Sequence, residues 1–220
     1  MTRGSVAAQL RGLGVIGLLA MAAILAGNSF FIPLSSVLVL AWVWLSRTEW
    51  SAVGLSRPKS WPRTILLGIA FGCGLKFFMK AVVMPLLGAP PVNEAFHFLA
   101  GNTAALPGII FTAAVSAGFG EELLFRGYAF ERLRKLMGRS RLATLAIVLI
   151  TSTWFAYEHH AFQGLPGVQQ AAIVGLLFAA IYAHTQRLWF LIIAHAAFDL
   201  TAVALIYWSL EERVARFIYG

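Results

Sequence analysis

Three short clusters place acidic, basic and cationic side chains at helical spacing. The first is Glu121-Glu122-Leu123-Leu124-Phe125-Arg126, the second Phe155-Ala156-Tyr157-Glu158-His159, and the third His195-Ala196-Ala197-Phe198-Asp199. On a helix, residues i and i+4 share a face, so Glu122 meets Arg126 while Glu121 points about 100° away. The same spacing puts His195 and Asp199 side by side. Carboxylates and imidazoles are the side chains that carry general acid–base work. Glu122 and Arg126 read as a structural ion pair that leaves Glu121 free to face something else.

These residues must be positioned by helices, and the composition says in what solvent. The 220 residues are 60% hydrophobic and 12% charged, against roughly 45–50% and about 25% in soluble domains. A soluble globule cannot bury that much apolar surface, and one cysteine, Cys73, excludes a disulfide scaffold. The reading is an all-α, polytopic transmembrane bundle of about seven, possibly eight, helices. Seven apolar stretches carry it: Leu10–Ala26, Phe30–Leu45, Thr64–Leu87, Ala105–Met137, Leu142–His159, Val168–His184 and Trp189–Trp208. Breakers separate them, including Gly27-Asn28, Gly88 to Pro91, Gly138 and Gly164 to Gly167. One integral membrane domain over 1–220 is expected, with N-terminal helices over 1–100 and a motif-bearing core over 105–208.

The net charge of +8 does not point to nucleic acid, because the basic residues lie between apolar runs instead of forming one block. Arg3 and Arg11 precede the first stretch; Arg47, Arg57, Lys59 and Arg63 follow the second. Arg132 to Arg141 surround the fourth–fifth turn and Arg187 the sixth–seventh, whereas Gly88 to Thr103 carries no Lys or Arg. Such alternation places the N-terminus and the basic loops in the cytoplasm. Arg3 and Arg11 before an apolar run, with Leu25-Ala26-Gly27 following, also fit a signal peptide; the second helix returns to the cytoplasm either way.

Acids inside a bilayer need a reason, and Glu121, Glu122 and Asp199 fall within apolar runs. The fourth and fifth helices form a hairpin in which Glu121 stands 18 residues before Arg139 and His159 20 after it. That is a height mismatch of about 3 Å. His195, nine residues past Gln186, lies about 13 Å deep. The three can share a level in the cytoplasmic half or near the midplane.

Taken in order, Glu-Glu-x-x-x-Arg, Phe-x-x-x-His and His-x-x-x-Asp resemble the CPBP intramembrane proteases, the type II CAAX prenyl endopeptidases with their bacteriocin-processing and Abi-like immunity relatives. The resemblance covers about Leu106 to Leu205, including Gly175 and Leu188-Trp189. It implies a glutamate-dependent intramembrane endopeptidase with Glu121, His159, His195 and Asp199 as its catalytic centre and Glu122 and Arg126 as structural, orienting residues. Glu121 with His159 would activate water, and His195 would stabilise the oxyanion. The CAAX endopeptidases have Asn where this chain has Asp199. An ionised Asp only accepts hydrogen bonds, so Asp199 is expected to orient and charge His195.

No cofactor is expected. The competing reading takes Glu121, His159 and His195 as three zinc ligands, although no His-Glu-x-x-His helix is present. Glu158 and His160 read as bystanders, and His97, His184 and Cys73 carry no assigned role. Lys76 and Lys80, at i and i+4, face the central cavity or a partner, since two ammonium groups in lipid are costly. Gly68 and Gly72 fit a close helix contact. The expected partners are a peptide or protein substrate at the membrane and the lipid bilayer, with no nucleic acid and an open oligomeric state. Two other functions remain as alternatives: a non-catalytic scaffold or immunity protein of the same fold, and a small transporter using the polar centre as an ion path.

Overall fold

A computed structural model describes residues 3–30 and 32–219. Phe31, inside the second predicted stretch, lies outside the described residues, as do Met1, Thr2 and Gly220 at the ends of the expected domain. The described residues form an all-helical bundle without strands. Its helices are α1 (Arg3–Arg11), α2 (Val15–Phe30), α3 (Ile32–Ser46), α4 (Trp61–Leu86), α5 (Thr103–Met137), α6 (Arg141–Glu158), α7 (His160–Thr185), α8 (Leu188–Tyr207) and α9 (Glu211–Ala215).

The expected count of about seven membrane helices is not what length and apolarity give. Among the described residues four helices, α4, α5, α7 and α8, are long and apolar enough to cross a membrane, and the bent pair α1–α2 makes a fifth if counted as one span. The predicted stretch Leu10–Ala26 is broken at Gly12-Leu13-Gly14, where the chain bends by 63°. α3 has only 15 residues, and α6 is diluted by Thr144, Thr151, Ser152 and Thr153.

Two expected breakers behave differently. Gly27 and Asn28 are buried inside α2, where a Cβ on Gly27 would sit 3.1 Å from Leu38 of α3; the glycine marks a close approach, not a turn. The Gly164–Gly167 segment is a kink within α7, with Gly164 at φ 61°.

Lipid supplies no hydrophobic drive for helix association, so close packing of small residues must do the work. A Cβ on Gly72 would lie 2.1 Å from the Ala194 carbonyl oxygen and 2.9 Å from the Ala197 Cβ, and one on Gly68 would lie 2.8 Å from Ile193. The expected small-residue contact therefore joins α4 to α8. Gly118 brings α5 equally close to Ala196 of α8. α5 runs through the centre, burying Leu123, Leu124, Phe125 and Tyr128. Large apolar side chains such as Leu66 and Leu142 point outward, as a lipid-facing surface requires.

The helices alternate in direction, so their basic turns gather at one end. Arg11 donates to the Ser46 carbonyl, and Arg132 and Lys135 both reach the Arg11 carbonyl. Arg134 bonds Gln186 in the α7–α8 turn. The Leu188 amide donates to the Gly54 carbonyl at 2.9 Å, which ties the loop after α3 to the start of α8. Gly54 adopts φ 78° against the Tyr182 ring, a place where a side chain would clash. The opposite end holds the α4–α5 segment, the α6–α7 junction and α9.

Candidate active site

The Glu-Glu pair sits in an unusual stretch of α5. From Thr112 to Tyr128 the backbone hydrogen bonds run i→i+5, and such widened turns concentrate at functional sites. The ion pair expected between Glu122 and Arg126 is present, with Arg126 Nη1 donating to Glu122 Oε1 at 3.0 Å, and both side chains are almost wholly buried. A buried pair needs further partners to offset its desolvation. Arg126 Nη2 donates to the Gly175 carbonyl at 3.3 Å, and the guanidinium lies 4.4 Å from the Phe155 ring centroid.

Glu122 has a second partner on another helix. His195 Nδ1 lies 2.8 Å from Glu122 Oε1. Because that carboxylate is paired with Arg126, it accepts, and His195 Nδ1 carries the donated hydrogen. The imidazole is also held edge-on between Phe155 and Phe178, at 6.1 and 5.8 Å between centroids. Its rotation is therefore fixed, and Nε2 points to the other side.

On that side stand the two remaining acids. Glu121 Oε2 is 3.8 Å and Asp199 Oδ2 3.6 Å from His195 Nε2, both longer than a direct hydrogen bond. Glu121 is buried, and its Oε2 has no hydrogen-bond partner within the protein. The contact expected to orient His195 is accordingly made by Glu122 at Nδ1, not by Asp199. Asp199 shares the Nε2 side with Glu121 and keeps 30% of its side chain exposed. The i,i+4 spacing brought Asp199 near His195, but the ring's orientation was decided by a helix 73 residues away.

His159 ends α6, and its Nδ1 donates to the Phe155 carbonyl at 2.8 Å, leaving Nε2 free to accept. Glu121, His159, His195 and Asp199 line one cavity. Lys76, Asn93, Phe96 and Leu99 wall it as well, so the segment before residue 105 contributes to a site that the motifs had placed entirely in the core helices. Glu158 is exposed and accepts from Trp154 Nε1 at 2.8 Å, and His160 is exposed.

The two lysines are partnered. Lys76 donates to Gln170 at 3.0 Å and lies over the Phe198 ring, and Lys80 forms a buried ion pair with Glu211 at 2.9 Å. Glu211, which the sequence reading passed over, also accepts the Asn93 amide at 3.2 Å. Among the described residues no three His, Cys, Asp or Glu side chains are disposed to hold one metal ion.

Residues 103–201 match the family model of type II CAAX prenyl endopeptidases, described as Rce1-like. The matched segment contains Glu121, Glu122, Arg126, His159, His195 and Asp199, and the family is the one the three motifs resemble. That family is a protease family of membrane proteins. No curated protein and no solved structure gives a significant match to the chain.

Proposed function

We propose that this chain is a glutamate-dependent intramembrane endopeptidase. The observation that carries the reading is the buried Glu121 carboxylate, with Oε2 unpartnered, facing the Nε2 side of a histidine whose other nitrogen is already anchored. Glu121 takes a proton from a water that His159 Nε2 helps to align, and the water oxygen attacks the carbonyl carbon of the scissile peptide. The oxyanion that forms is met by His195 Nε2–H. This requires both ring nitrogens to be protonated, and the carboxylates of Glu122 and Asp199 offset that positive charge. Glu121 then passes its proton to the leaving amine as the C–N bond breaks. A fixed donor in a water-poor cavity stabilises developing charge without reorganisation, a contribution of about 10²–10³ in rate for one oxyanion-hole group.

The reaction uses protein side chains alone. A chelator should leave the purified enzyme active; loss of activity restored by zinc would replace Glu121 as base with a metal-bound water. The decisive experiment is Glu121→Gln, which keeps the volume and removes the base. Loss of about 10²–10⁴-fold in cleavage is expected, with uncleaved precursor accumulating on the inactive protein. Full biological activity of Glu121→Gln would leave a scaffold or immunity protein of the same fold.

A further inference from the structure

We propose that Lys76 anchors a carboxylate of the peptide substrate, about two residues from the bond that is cut. Lys76 has this role only in a peptide-cutting site, so the assignment rests on the peptidase reading above.

Four Lys or Arg side chains are buried among the described residues: Lys76, Lys80, Arg126 and Arg132. Three of them meet a carboxylate. Lys80 is paired with Glu211, Arg126 with Glu122 and Arg132 with Glu131. Lys76 has no described carboxylate close enough for an ion pair. Its ammonium donates to Gln170 Oε1 at 3.0 Å and stands 4.8 Å from the Phe198 ring centroid. An ammonium carries three donors, and Gln170 and the ring are both neutral. Burial of a charge is costly unless an opposite charge meets it, so a cation held by neutral partners alone attracts an incoming anion strongly.

The placement of Lys76 puts that attraction where a substrate must lie. α4 and α8 run side by side in one direction: Gly68 meets Ile193, Gly72 meets Ala194 and Ala197, and Lys76 meets Phe198. His195 therefore stands level with Gly72, and Lys76 one turn further on, about 6 Å along the bundle. Lys76 lines the cavity of Glu121 and His195 and also the neighbouring one that reaches Asn93 and Glu211. An extended peptide rises about 3.3 Å per residue, which sets the spacing between a carbonyl at His195 and a carboxylate at Lys76.

The protein's own acids do not fill this role. Glu121 and Asp199 lie against His195 Nε2 at 3.8 and 3.6 Å, and Glu211 is taken by Lys80. Glu121 and Asp199 also disfavour an anion beside His195, which leaves the Lys76 end to receive one. Lys76 is outside residues 103–201, which carry the family match; the anchor belongs to α4 and not to the three motifs. A peptide brings a carboxylate either as an Asp or Glu side chain or as a free C-terminus, and the ammonium binds both by the same chemistry.

The test separates these two sources. Purified full-length protein is given randomised short peptides in three sets: free C-terminus without Asp or Glu, amidated with one Asp or Glu, and amidated without either. The readout is the ratio of kcat/KM for each carboxylate set over the last set. A ratio of about 10–100 is expected, the worth of one charge-assisted hydrogen bond in a buried place. A high ratio for the first set alone assigns a C-terminus, and for the second alone a side chain. Lys76→Met should bring the ratio toward unity, and Lys76→Arg should recover most of it; Lys76→Gln serves if Lys76→Met does not accumulate. A parent ratio near unity, or a ratio that Lys76→Met leaves unchanged because every set loses cleavage equally, overturns the anchor. Retention of the same peptides on immobilised Glu121→Gln protein reads the anchor without cleavage. Carboxylate peptides retained in preference, with no set cut by the parent, would sink the peptidase reading alone. Cleavage without preference in either assay would sink only the anchor.

Discussion

His195 Nδ1 and Glu122 Oε1 are 2.8 Å apart, and the same oxygen takes the Arg126 guanidinium at 3.0 Å. One carboxylate thus joins a cation to the imidazole, in a place from which water is excluded. The two adjacent glutamates differ in their surroundings: Glu122 is held in this network, and Glu121 Oε2 has no hydrogen-bond partner within the protein.

That difference separates the effects of two equally conservative changes. Glu122→Gln removes the charge facing Arg126 inside the bundle, and breaking one side of a buried pair costs about 3–5 kcal/mol. Glu121→Gln breaks no ion pair with Lys or Arg. Thermal unfolding of the detergent-purified variants should show a clear drop for Glu122→Gln and little change for Glu121→Gln, while both lose cleavage.

Asp199 Oδ2 lies 3.6 Å from His195 Nε2, on the side the proposed mechanism uses, without bonding it directly. Asn at this position can donate to the oxyanion while Asp offsets charge, so Asp199→Asn should remain active, within about tenfold of the parent, or about 1.4 kcal/mol in the barrier. Asp199→Leu should fall well below that. Comparison of kcat/KM for the two variants checks it, and an inactive Asp199→Asn would mean that the carboxylate itself takes part in proton transfer.

The α4–α8 contact sets the position of the helix that carries His195. Gly72→Ala places a methyl group 2.1 Å from the Ala194 carbonyl oxygen, against backbone that cannot move aside. Overpacking of this kind costs about 1–3 kcal/mol. The control is Gly74→Ala on the same helix, where a Cβ meets nothing within 4 Å. Melting temperature and activity should fall for Gly72→Ala and hold for Gly74→Ala.

Lys80 and Glu211 are a buried pair 131 residues apart. Glu211→Leu leaves a buried ammonium and should destabilise by about 3–5 kcal/mol, while Lys80→Met with Glu211→Leu should recover much of the loss, as paired replacement of buried ions does. A double-mutant cycle on thermal stability gives the coupling. Additive losses would show that the pair is not energetically joined.

The sequence by itself determined what depends on neighbours along one helix. Apolar length placed most of the helices, though not the bend between α1 and α2, i and i+4 spacing placed Glu122 on Arg126 and Asp199 near His195, and hairpin counting brought Glu121 and His159 to one height. Gly68 and Gly72 announced a close contact without naming the partner. Only the tertiary structure decided which faces met. Helix rotation and crossing are set by packing across the bundle, so the His195–Glu122 bond, the Lys80–Glu211 pair and the cavity wall from Asn93 to Leu99 leave no local spacing to read.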